Sequence, residues 1–218
     1  MTTIAILGGT GDLGTGLAIR WSKAGHNIII GSRTQEKADA ALVELKKISP
    51  DTPAQAMENG AAAKAGEIVV LTVPFAHQLS TLEAVKSDLE GKILIDVTVP
   101  LMPPKVGTVQ MPPAGSAGKQ AQDFLGDDVM VVTAFQNIAA HLLQTDVNIE
   151  CDVLVAGNKQ PRRTPDHQGR QHLGLDNRLA IPSGAAVRAR GPCPDPCARL
   201  DRPGAARSIV SYRRETRR

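Results

Sequence analysis

The stretch TIAILGGTGDLGTGLAIRWSKAGHNIIIGSR, residues 3–33, decides the fold. It opens on a continuous apolar run, passes through Gly9-x-Gly11-x-x-Gly14, enters a segment of helical character and closes on a second apolar run, HNIIIG. Strand, glycine turn, helix and strand in that order form a unit that binds a dinucleotide. Gly9 permits the tight turn, Gly11 lets backbone approach a pyrophosphate, and Gly14 allows close helix–strand packing. A helix beginning near Asp12 then presents free N–H groups to phosphate. A glycine-rich turn with no ligand is the plain alternative.

The end of the second strand separates the two nicotinamide cofactors. A carboxylate there would hydrogen-bond the ribose hydroxyls and repel a 2′-phosphate. No acidic residue lies between Asp12 and Glu36. Ser32 offers a hydroxyl, Arg33 a planar fork suited to phosphate, and Lys37 a second cation one helical turn on. Solvation at the surface is the usual fate of such charges. Yet Arg33 is one of only two arginines before residue 159, and it stands where a 2′-phosphate needs it. The expected cofactor is NADP(H).

Outward from this unit, short apolar runs alternate with helical segments as far as residue 158. Strands are expected at 3–8, 26–31, 67–75, 92–100, 128–135 and 151–157, with a weak one near 53–57. Helices are expected at about 12–24, 34–48, 59–65, 77–90, 116–126 and 137–145. Most strand candidates are unbroken Val/Ile/Leu runs, as strands buried on both faces require. The Pro/Gly-rich piece 100–115 reads as a loop. The fold class is α/β, a Rossmann-type doubly wound parallel sheet. Residues 1–158 form its NADP-binding domain, and 159–218 an irregular, Arg/Pro/Gly-rich tail.

The charge divides at the same point. Residues 1–158 carry a net charge of −6 and residues 159–218 a net of +9, which together give the +3 of the 218-residue chain. Lysine gives way to arginine and the periodicity is lost. The tail can be read as a disordered basic segment, as a nucleic-acid arm, or as the product of a shifted reading frame. Its one aromatic, Tyr212, gives no stacking platform for single strands, which weighs against the arm. The three cysteines, Cys151, Cys193 and Cys197, do not form a four-ligand zinc set, so no metal is expected. The N-terminus has no basic leader, and no apolar run approaches the roughly 20 residues of a membrane span. A cytoplasmic protein follows from that reading.

Little acid–base chemistry is on offer. The proton-transferring Tyr-x-x-x-Lys pair of short-chain dehydrogenases is excluded, because Tyr212 is followed by Arg-Arg-Glu. Polar residues near strand ends are His77, Asp96, Thr98, Gln136, Asn137 and His141. His77 reads more simply as a helix-start residue, His141 as packing or interface, and Asp96 as a strand-end hydrogen-bonding residue. No catalytic residue is assigned. Hydride passing between two redox cofactors needs aligned rings and few protein acids or bases.

The motifs ILGGTGDLGTGLAIRWSKAGHNIIIGSR, VVLTVPFAHQ, IDVTVPL, SAGKQAQ and VVTAFQNIAAHLLQ…CDVLVAG carry a resemblance to the NADPH-dependent coenzyme F420 reductases, over about residues 2–158. The resemblance implies a cytoplasmic, homodimeric oxidoreductase that moves hydride between the nicotinamide of NADPH and C5 of the deazaflavin. It implies that Thr10, Gly11, Asp12 and Leu13 cradle the pyrophosphate, and that Ser32, Arg33 and Lys37 hold the 2′-phosphate. Val73, Val99, Ile138 and Ala140 would line the stacked rings, with Pro74 and His77 in the same cofactor-binding segment. Some family members have histidine where this chain has Gln136. Nothing after Lys159 resembles the family's closing helices, so the homodimer is expected if the C-terminus folds, and with this tail deazaflavin binding and dimerisation are expected to be impaired. Two other readings stay open: an NADPH-dependent reductase of another small substrate on the same fold, and a non-enzymatic NADP-binding module.

Overall fold

The computed structural model describes residues 1–149 and 153–157, together with the backbone of four short strands at 164–165, 171–172, 187–188 and 208–212. The sequence readings that fall on the rest of the tail lie outside the described residues. The strands are β1 (Thr3–Leu7), β2 (Asn27–Ser32), β3 (Ala54–Glu58), β4 (Ile68–Leu71), β5 (Ile93–Asp96), β6 (Met130–Thr133) and β7 (Val155–Gly157). The helices between them are α1 (Asp12–Lys23), α2 (Gln35–Ile48), α3 (Asn59–Ala65), α4 (Gln78–Val85), α5 (Ala117–Leu125) and α6 (Ala140–Leu143).

Within one sheet the strands run β3-β2-β1-β4-β5-β6-β7, and every pair but the last is parallel. This is the doubly wound Rossmann order. The chain leaves β1 toward one edge of the sheet and returns for β4 on the other side of β1. Ligands in such sheets sit beyond the carboxyl ends of the strands at that switch. Strand β7 runs antiparallel and pairs Thr133 with Ala156.

Successive strand residues feed two separate cores. Ile4, Ile6, Ile28, Ile30 and Val70 pack with Leu17, Ala18, Trp21 and Leu45 from α1 and α2. Ala5, Leu7, Ile29, Val69 and Leu71 pack with Ala62 of α3, Leu82 and Val85 of α4, and Ala121 and Leu125 of α5. Both faces of the central strands β1, β2, β4 and β5 are therefore dry, which explains why these strands read as unbroken apolar runs.

Several expected elements are shorter than their sequence patterns, among them 128–135, which forms a strand only over Met130–Thr133. The run 67–75 stops pairing at Leu71, and 92–100 stops at Asp96. Each continues as a loop because the chain must clear the sheet edge: Pro74 precedes a 3-10 turn, Phe75–His77, and Pro100 opens the proline-rich loop. The expected helix 137–145 keeps only one turn, Ala140–Leu143. Of the strand expected at 151–157, residues 151–152 lie outside the described residues. Among the described residues no helix is long and apolar enough to cross a membrane.

Candidate functional site

The glycine turn is built around close backbone contacts. A Cβ on Gly14 would lie 2.7 Å from the Gly9 Cα and 2.8 Å from Thr72 Oγ1, so only glycine lets α1 start this close to β1 and β4. Gly9 donates its N–H to the carbonyl of Gly31 at 3.1 Å, which ties the turn to the end of β2. Gly8 has φ +73°, and a Cβ there would meet Val73 Cγ1 at 2.7 Å. Sequence reading missed Gly8 because the fingerprint begins one residue later.

Gly11 differs from these. The nearest atom to its would-be Cβ is the Gly8 carbonyl oxygen, at 3.8 Å, so its front is open. It is the N-cap of α1 and supplies no side-chain cap, which leaves N–H groups of the first turn available. Thr10, Gly11 and Asp12 are exposed, and Leu13 is half-buried. An open, uncapped helix start fits a pyrophosphate.

At the end of β2, Ser32 is buried at 4% exposure, while Arg33 and Lys37 stand in solvent on the approach to and first turn of α2. The nearest carboxylate in sequence, Glu36, is held by its own backbone N–H and the Thr34 hydroxyl, which lower its pKa. Gly31 is tightly enclosed: a Cβ would meet Asn59 Oδ1 at 2.9 Å and Leu7 Cδ2 at 3.1 Å. Ser32, directly after it, is the last residue of β2. The trio offers one hydroxyl and two cations, as a phosphate monoester requires.

The third part of the site lies beyond β4, β5 and β6. Val73 is half-buried, and Pro74 and His77 are exposed; His77 caps α4 through its backbone and accepts from Ser80 Oγ at 3.2 Å. Val99 is half-buried beyond β5, Ile138 is buried beyond β6, and Ala140 opens α6 half-buried. All of these stand at the same carboxyl edge as the glycine turn. Gln136 is exposed, and its Nε2 donates to the carbonyl of Asp96 at 3.0 Å. Asn137 and His141 are exposed, so the packing reading of His141 does not hold within this chain.

Asp96 is fully buried at the end of β5. Its Oδ2 accepts from Gln78 Nε2 at 2.7 Å, and its Oδ1 from the Thr98 N–H at 2.9 Å. Burial raises its pKa, and the hydrogen bonds from Thr98 and Gln78 partly oppose that rise. The strand-end hydrogen-bonding reading of Asp96 is therefore what the fold shows. Its partner Gln78, also fully buried, was not singled out in the sequence, since a glutamine after His77 carries no pattern.

Two other contributors lacked a signal. Phe135 takes φ +70°, a left-handed conformation that aromatic residues rarely adopt. Its ring stands edge-on to Trp21, with centroids 5.7 Å apart, and this buried contact holds the sharp turn into Gln136–Ile138. Arg20, 5% exposed, donates to the carbonyls of Leu142, Leu143 and Val147 at 2.9–3.0 Å. It satisfies the carboxyl end of α6, which leaves Arg33 as the exposed arginine of the first 149 residues.

Among the described residues no cluster of His, Cys, Asp and Glu could hold a metal ion. The buried acid at this edge, Asp96, is engaged by Gln78 and Thr98, and the apolar residues around it are suited to binding and aligning flat rings.

Residues 3–100 match the family model described as NADP oxidoreductase, coenzyme F420-dependent. The chain is 42% identical over 165 residues to the F420-dependent NADP reductase of Methanocaldococcus jannaschii, covering 72% of this chain and 73% of that protein. It is 41% identical over 194 residues to the enzyme of the same name from Methanothermobacter marburgensis, covering 86% of each. Among solved structures it is similar to an Arthrobacter protein described as an F420-dependent NADP-reductase, with a TM-score of 0.55 and 29% identity, covering 65% of this chain and 66% of that one. With 41–42% identity over most of its length and of theirs, the chain belongs to the F420-dependent NADP reductase family.

Proposed function

We propose that this protein is an oxidoreductase that transfers hydride between NADPH and the deazaflavin coenzyme F420. The observation that carries the reading is the gathering of three kinds of binding group on one sheet edge, in a chain 42% identical to a reductase of that name. NADPH supplies the hydride when bound, and the deazaflavin accepts it together with a proton.

The protein's own residues bind and orient. The α1 start at Gly11–Leu13 receives the pyrophosphate, and Ser32, Arg33 and Lys37 receive the 2′-phosphate. Val73, Pro74, Val99, Ile138 and Ala140 present apolar contact and backbone to the rings, excluding water without donating protons. Proximity and alignment then supply most of the rate, worth about 7–11 kcal/mol in well-oriented systems. His77 flanks this segment as a polar contact, and no proton transfer is assigned to it.

Mixing the purified protein with NADPH and oxidised F420, and following deazaflavin absorbance, tests the reading. Loss of absorbance dependent on both components is expected. A folded, NADPH-binding protein that gives no such change refutes it. A homodimer in the cytoplasm belongs to the same proposal, on the strength of the family relationship. Sedimentation equilibrium at twice the 23.0 kDa chain mass is the expected result.

A further inference from the structure

We propose that Asp96 and Gln78 are positioning residues that set the spacing of the two reacting rings. The inference rests on the function proposed above. Asp96 ties together three loops. Its Oδ2 takes a hydrogen bond from Gln78, the first residue after the β4 loop, and its Oδ1 takes one from Thr98 in the β5 loop. Its main-chain carbonyl takes a third from Gln136 in the β6 loop. Those loops carry Val73 and Pro74, Val99, and Ile138 respectively, the apolar groups on which the rings would rest.

Gln78 extends the set. Its Nε2 also lies 3.0 Å from Thr98 Oγ1 and 3.1 Å from the Ala117 carbonyl, and its Oε1 accepts from Gln120 Nε2 at 2.9 Å. The start of α4, the start of α5 and the end of β5 are thereby fixed to one another. A carboxylate enclosed at 0% exposure is an expensive way to hold a strand end, because an apolar residue would cost less desolvation. What the carboxylate adds is direction. Each of its oxygens accepts from a different segment, so the segments cannot slide independently. Hydride transfer is steeply sensitive to the donor–acceptor distance, and a misplacement of about 1 Å costs roughly 100-fold. The network touches neither the glycine turn nor the 2′-phosphate trio, so its loss falls on the ring end alone.

The test uses the full chain with Gln78→Met, which keeps the side-chain volume, and Asp96→Asn. Gln136→Ala serves if either fails to fold, since Gln136 is exposed and its removal cuts one tie without opening the core. Affinity for 2′,5′-ADP, which probes the adenosine half, is expected to stay within about 2-fold. The rate constant kcat for F420 reduction is expected to fall about 10–100-fold, with KM for NADPH nearly constant. The primary isotope effect with 4-deuterated NADPH should become larger and more temperature-dependent. A purely structural role would lower Tm and the active fraction and leave the isotope effect alone. Folded variants with unchanged kcat and isotope effect overturn the proposal. The anisotropy decay of bound NADPH fluorescence is an independent readout. A fast component should appear in the variants, and its absence also overturns the proposal. If the wild type itself fails to reduce F420, the function above fails, and the anisotropy decay still decides the positioning role.

Discussion

Arg20 of α1 donates its Nε–H to the carbonyl of Leu143, the last residue of α6, at 2.9 Å. Three further carbonyls, of Leu142, Thr145 and Val147, lie within 3.0 Å of its Nη2. A one-turn helix has no hydrogen-bonded interior to stabilise it, so α6 depends on this guanidinium and on close packing against α1. Gly16 makes that packing feasible, since a Cβ there would lie 2.6 Å from Leu143 Cβ. Arg20→Ala is expected to lower unfolding free energy by on the order of 3 kcal/mol, because it leaves several carbonyls without a donor. Urea denaturation of the two proteins gives the comparison, and a loss under about 0.5 kcal/mol would contradict it.

The other early arginine should behave in the opposite way. Arg33 is exposed, and Arg33→Ala is expected to leave Tm unchanged. Affinity for NADPH should drop about 10–100-fold with the loss of charge-assisted contacts to phosphate, while NADH is barely affected. Calorimetric titration with both nucleotides measures the two losses, and equal losses would remove the 2′-phosphate assignment.

Gly11 and Gly14 separate access from packing. A methyl at Gly14 meets the Gly9 backbone at 2.7 Å, and Gly14→Ala should destabilise the fold by about 1–3 kcal/mol as well as weaken NADPH. A methyl at Gly11 meets nothing closer than 3.8 Å, so Gly11→Ala should fold as the wild type does. It should still bind NADPH more weakly, because the methyl occupies the approach to the pyrophosphate. Thermal melts with and without NADPH distinguish the pair. Equal NADPH-induced stabilisation of wild type and Gly11→Ala would place the pyrophosphate elsewhere.

Asp96 predicts an unusual pH dependence. Its folded pKa is raised by burial, so the folded state holds a proton over a range where the unfolded chain has lost it. Its contribution to stability is therefore full below the unfolded pKa and is lost as pH rises through the folded value. Wild type minus Asp96→Asn, compared by Tm, should shift in favour of wild type as pH falls from neutral into the acid range. Other carboxylates cancel in the difference. A difference that moves the other way would mean that the hydrogen bonds from Thr98 and Gln78 outweigh burial.

The strand–glycine turn–helix–strand unit on which the proposed nucleotide site stands was legible in the residue order because it is local. Gly9, Gly11, Gly14, Ser32 and Arg33 lie within one strand–helix–strand unit, and backbone requirements fix their types. The apolar strands were legible for the same reason, though their ends were not. Leu71 and Asp96 are followed by more valine and threonine, and only the edge of the sheet tells the chain to stop pairing. Arg20, Gln78 and Phe135 act across long separations in sequence. Arg20 meets carbonyls more than 120 positions away, and no local pattern announces such a partner.

The bond from the Gly9 N–H to the Gly31 carbonyl joins the pyrophosphate turn to the strand that carries Ser32. In the function proposed above, the two anion sites would therefore act as the jaws of a fixed-gap caliper. A nucleotide with the right span between its phosphates seats without bending the protein, and one with a longer or shorter span can satisfy one jaw only. On that proposal, length as much as charge selects the nucleotide.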